Sequence, residues 1–145
     1  MSVPSIREPD LTVLQTDFRT NGSVVVDSVM FGSGGLKIRV ESDEWRVQVV
    51  YKTLCGFRVL DELDLTEFWP KAALRDGWLF QVHAGGWLEL ELRRPNFVSG
   101  RLYNLSEFLI IGLNECVSVL SEEPPVIQVS PSNQSVRDFP SIPAA

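Results

Sequence analysis

The stretch LKIRVE (36–41) alternates without a break: Leu36, Ile38 and Val40 on one side, Lys37, Arg39 and Glu41 on the other. A period of two marks a half-buried strand, because successive side chains of an extended chain point to opposite faces. EWRVQVVY (44–51) repeats the pattern, aligning Trp45, Val47, Val49 and Tyr51. Upstream, SVVVDSVMF (23–31) is rich in β-branched residues, and GSGG (32–35) separates it from LKIRVE, which predicts a β-hairpin. GFRVLDEL (56–63) extends the series, and FLIIGLNECVSVL (108–120) reads as strand, turn, strand around GLNE. EEPP (122–125) then breaks it. Helical signals are few. LDLTEFWPKAAL (63–74) has Asp64 as a candidate N-cap and Glu67 three residues on, but Pro70 limits it to about one turn. NLSEF (104–108) suits a helical turn or a strand start. Together these predict an α+β, mostly β fold: an antiparallel sheet of hairpins, about six to eight strands, with one or two short helices.

The 145 residues suit one domain. Residues 1–20 are polar, with Pro4 and Pro9, and read as a lead-in or a short edge element; 21–128 form the expected sheet domain, and 129–145 an expected flexible Ser/Pro-rich tail. An apolar fraction of 44% is enough for a packed core. Nineteen acidic residues against thirteen basic give a net charge of −6, with no basic patch to neutralise phosphates, so no nucleic-acid partner is expected. MSVPSIREPD lacks the basic-then-apolar pattern of a signal peptide, and FLIIGL, the longest apolar run, is far short of a membrane span. The expectation is a cytoplasmic protein without a membrane partner.

Catalytic signals are sparse. Cys55 and Cys116 lie far apart and form no C-x-x-C, so both are expected as buried thiols. One histidine and two separated cysteines cannot build a structural zinc site. GSGG lacks the following G-K-[ST] of a phosphate loop. No cofactor or metal is implied, and an enzyme is not expected.

Two segments stand out as surfaces. In GWLFQVHAGGWLELE a hairpin turning at Ala84-Gly85-Gly86 sets Val82 against Leu88, Phe80 against Leu90 and Trp78 against Leu92. The alternative Gly85-Gly86 turn would place Glu89 and Glu91 in that apolar layer, which is costly. The preferred register puts His83 and Trp87 side by side on an outward face continued by Glu89 and Glu91. His83 is then a turn-flanking residue or a contact residue; a general base needs an orienting group and a substrate proton, and neither is evident. Trp87 is either an interface anchor or covered by a helix or the N-terminal segment. DELDLTEF gathers Asp61, Glu62, Asp64 and Glu67, which suits a solvated helix start or a patch for a basic partner; calcium-loop spacing is missing.

GFRVLDELDLTEFW, GWLFQVHAGGWLELE and EFLIIGLNECVSVLS together resemble small bacterial immunity proteins of polymorphic-toxin and contact-dependent growth inhibition systems. The resemblance covers about residues 45–125 and rests on the style of these segments, with no functional signature, so it carries over no site. It implies a cytoplasmic inhibitor that binds a cognate toxin with a basic domain, acting as monomer or homodimer. The residues expected at such an interface are His83, Trp87, Glu89, Glu91, Asp61, Glu62 and Asp64. A small-molecule-binding or enzymatic β domain, and a structural subunit, remain the alternatives.

Overall fold

The computed structural model describes residues 7–20, 22–72 and 76–130. Among these residues, nine strands form two antiparallel sheets. The four-stranded sheet is built from β2 (Val24–Gly32), β3 (Gly35–Ser42), β4 (Arg46–Tyr51) and β9 (Val126–Val129), in that order. The five-stranded sheet runs β1 (Asp10–Val13), β6 (Leu79–Ala84), β7 (Ser106–Ile111), β8 (Glu115–Ser121), β5 (Gly56–Asp61). Helices are short: α1 (Trp87–Leu92), α2 (Ser99–Leu102) and a 3₁₀ turn, Glu62–Leu65. The architecture is thus mostly antiparallel β, as the alternation implied.

The alternating strands make the four-stranded sheet. Leu36, Ile38 and Val40 pair with Tyr51, Val49 and Val47, and all six are buried. Their partners across the sandwich are Leu79, Phe108, Ile110, Val117 and Val119 of the other sheet, closed at one end by Trp78. Ser33 and Gly34 make the tight turn of the β2–β3 hairpin, and Gly35 follows at φ +93°, where a Cβ would lie 2.3 Å from the Tyr51 carbonyl oxygen. A left-handed residue pressed against backbone must be glycine.

The five-stranded sheet is buried on both faces, which is why FLII is continuously apolar and CVSVL is interrupted only by the buried Ser118. Its second face carries Phe80, Val82, Leu109, Ile111 and Cys116, covered by Leu65, Phe68 and Ala72. The covering segment turns as Pro70 requires, in short steps: Phe68 N–H bonds to Leu65 O at 3.0 Å, and Ala72 N–H to Phe68 O at 2.9 Å. Its cap is Asp61, three residues before the expected Asp64; the Asp61 carboxylate accepts the Leu63 N–H at 2.9 Å. Asp64 instead lies within the 3₁₀ turn and is exposed. Residues 73–74 of the expected helix fall outside the described residues.

The hairpin expected at 78–93 does not form. β6 is flanked by β1 and β7, so both of its edges are occupied. After Gly85, at φ +74°, the chain turns into α1, and WLELEL is helical. Leucine and glutamate are strong helix formers, and six alternating residues are too few to force a strand. The deciding partner is remote: Glu107 of β7 accepts the Leu88 N–H at 2.8 Å and also the Trp87 N–H.

Two edge strands carry no sequence pattern. β1 lies in the polar lead-in and pairs with β6; β9 pairs with β4. NLSEF resolves as the start of β7. From residue 131 the expected tail lies outside the described residues, as do residues 1–6 of the lead-in.

Candidate partner surface

The expected site residues separate into two groups. His83, Trp87, Glu89 and Glu91 sit on β6 and α1; Asp61, Glu62 and Asp64 sit at the end of β5 and in the 3₁₀ turn.

In the first group the polar atoms serve internal contacts. Glu89 takes the Gly85 N–H at 2.8 Å and pairs with Arg7. The Arg7 hydrogen bond, helped by Gly85, holds its carboxyl below the usual carboxylate range. Glu91 accepts the Trp87 indole N–H at 3.2 Å and the Arg94 Nε–H at 2.8 Å. Trp87 is half-buried: the Arg58 guanidinium stands 5.1 Å over its ring, and Gly56 lies behind it. The cover weighed for Trp87 was a helix or the N-terminal segment over a hairpin; instead Trp87 begins α1 itself and its ring lies under Arg58 of β5. His83 is exposed, and its Nε2 lies 2.8 Å from the Thr12 hydroxyl on β1. That partner, 71 residues away, was invisible in sequence. Among the described residues it is the only hydrogen-bond partner of His83.

Beneath α1 lies Glu107, which sequence reasoning missed. It is 1% exposed, and its Oε2 has no hydrogen-bond partner. Burial pushes its carboxyl above the usual range, against the Trp87 and Leu88 N–H groups and the Arg58 charge, which lower it. Arg58 is itself half-buried, and desolvation lowers its pKa against the pull of Glu107, Glu67 and Glu91. A single glutamate inside an apolar-flanked strand, SEFLII, was the available signal.

The thiols divide. Cys116 is buried beside the 3₁₀ turn, and desolvation pushes its thiol up to about 11. Cys55, expected buried, is exposed at the start of β5 because the chain there is only entering the sheet. Both are free. β7 and β8 separate the Cys55 edge from β6 and His83.

The second group is different in kind. Asp61 stands directly across from Glu115 in the β5–β8 register, and the Glu62 N–H bonds to the Asn114 carbonyl at 2.9 Å. Asp61, Glu62, Asp64 and Glu115 therefore converge on one corner. Among the described residues none of the four is in an ion pair. Between them Leu63 is 74% exposed and Leu113 41%.

A cavity of about 290 Å³ lies elsewhere, lined by residues 13–16, 18–20 and 76–78; Arg19 and Asp76 are its charged groups. Among the described residues, no three His, Cys, Asp or Glu side chains are placed to hold a metal, and no helix is long and apolar enough to cross a membrane. No family model, curated protein or solved structure matches the chain.

Proposed function

We propose that this protein is an immunity-type inhibitor that binds and neutralises a toxin with a basic domain, a nuclease being the natural fit. The observation that carries this is the Asp61–Glu115 pair. Like charges directly opposite on neighbouring strands destabilise a sheet. Here they stand with Glu62 and Asp64 beside them and no cation among the described residues. A basic partner would relieve that repulsion, and the exposed Leu63 and Leu113 would supply apolar contact inside a charged rim. Net charge of the same sign extends the attraction beyond contact and speeds association. Against a nuclease, the carboxylates would occupy positions that phosphates take.

Within this reading the contact residues are Asp61, Glu62 and Asp64, with Glu115 added. Glu89 and Glu91 are engaged internally, and Trp87 packs under Arg58. The test is affinity for the product of the neighbouring gene, compared between wild type and the double change Asp61→Lys, Asp64→Lys. A loss of about a hundredfold, as two reversed charges would produce, is the expected result. Unchanged affinity in a folded double variant would remove this corner from the interface.

A further inference from the structure

We infer that β5 captures an extended strand from the partner, in antiparallel pairing, with a lysine or arginine of that strand opposite Asp61. The basic partner is taken from the function proposed above; the strand itself follows from the edge.

β5 is the last strand of its sheet, and no described strand pairs with its outer side. The phase of its hydrogen bonds is fixed at one end. The Glu62 N–H reaches the Asn114 carbonyl, so Asp61 and Glu115 are a non-hydrogen-bonded pair. Bonding alternates along the strand. Leu60, Arg58 and Gly56 point their backbone groups at β8; Asp61, Val59 and Phe57 point theirs outward. The same three residues share one side-chain face, because their partners Val117 and Val119 face the other sheet. One row of residues thus offers both the free backbone groups and the side chains.

The four-stranded sheet covers this row only in part: Phe57 is half-buried against the core. Val59 is 42% exposed, and Phe31 of β2 is 65% exposed while packing against Phe57 at 5.6 Å. The edge of β2 is closed at its start, where the Leu113 N–H takes the Val24 carbonyl at 2.9 Å. Among the described residues β5 has no such contact at Phe57 or Val59. Exposed edges of this kind template strand addition, with main-chain bonds giving affinity and alternate side chains giving specificity.

The order of side chains sets the direction. Along β5 the row reads Phe57, Val59, Asp61: apolar, apolar, acidic. An antiparallel guest meets it as basic, any, apolar, any, apolar from its N-terminus. A second copy of β5 would instead set Asp61 against Phe57, which gains neither charge pairing nor apolar contact.

The experiment uses the full chain, ¹⁵N-labelled, titrated with the peptide acetyl-Ser-Lys-Thr-Val-Thr-Val-Ser-amide. Amide shifts centred on Phe57, Val59 and Asp61, with slowed hydrogen exchange at Phe57 and Val59, are expected. N-methylation of both peptide valines should abolish binding. Exchanging the peptide lysine for glutamate should weaken it by about fivefold, or about 1 kcal/mol. Shifts located elsewhere, equal binding of the methylated peptide, or concentration-dependent dimerisation through β5 without peptide would overturn the inference. Val59→Pro removes one outward N–H at an edge position that tolerates proline and should abolish capture; Val59→Thr keeps the N–H and should retain it. The two readings fail separately. Peptide capture by a chain that binds no basic protein removes only the inhibitor reading. A basic partner lost in Asp61→Lys, Asp64→Lys but held by Val59→Pro removes only the strand.

Discussion

Two sets of carboxylates on the five-stranded sheet make opposite use of their charge. Around α1, Glu89, Glu91 and Glu107 each accept at least one N–H, and two of them also meet an arginine. At the far corner, Asp61, Glu62, Asp64 and Glu115 meet no arginine or lysine among the described residues. The first set spends its hydrogen-bonding capacity on building the fold. In the second, Asp61 caps the 3₁₀ turn through the Leu63 N–H, yet it faces Glu115 across the sheet with like charge. Stretches of similar composition, WLELE and DELDLTE, thus have different roles, and the surroundings assign them.

The sharpest way to break this contrast is at Glu107. Glu107→Ala leaves the Trp87 and Leu88 N–H groups without an acceptor above a new cavity, and should cost about 2–4 kcal/mol in denaturant unfolding. A loss below about 0.5 kcal/mol would place Glu107 outside the structural set. Gly86→Ala attacks the same contact from the other side. Its Cβ would lie 2.6 Å from Glu107 Oε1 and 2.8 Å from Val82 Cγ1, so about 1–3 kcal/mol should be lost to overpacking.

Glu107 also predicts a pH dependence. Its folded pKa is raised above the ordinary value of 4.5, so between those two values the folded chain binds more protons than the unfolded one. The group's contribution is therefore fully present below about 4.5 and is lost as pH rises through the folded pKa. Glu107→Gln keeps an acceptor for α1 and should flatten that decline. A wild-type slope in the variant would mean another group titrates there.

At the corner the effects are smaller and opposite in sign. Glu115→Gln removes the charge facing Asp61 and should raise stability by about 0.2–1 kcal/mol while weakening partner binding. Smallest of all, Asp64→Lys should change thermal stability by less than about 0.5 kcal/mol, since the side chain is exposed and caps nothing.

The comparison also explains what was legible beforehand. Alternation in 36–41 and 46–51 identified β3 and β4 because each strand's own residues carry the two faces. The 87–92 segment defeated the same logic. Its period-two spelling is shared by a helix whose cap comes from Glu107, and no local pattern announces a partner 19 residues away. Asp61 and Asp64 are equivalent N-cap candidates by residue type; the end of β5 chose Asp61. β1 and β9 are short and only half-covered, so they need no apolar rhythm. For the surface, composition pointed to the acidic segments. Separating paired from unpaired carboxylates required the positions of Arg7 and Arg94.

β9 has a consequence in time. Its pairing with β4 joins Val47 to Val129. A ribosome adding roughly 5–20 residues per second needs about 4–16 seconds to pass from one to the other. Through that interval the β2–β4 meander has an outer strand, RVQVVY, with no strand on its outer edge. The nascent chain therefore passes through a stage that invites pairing with a neighbour's strand, and its yield in the cell should depend on how quickly synthesis reaches residue 129.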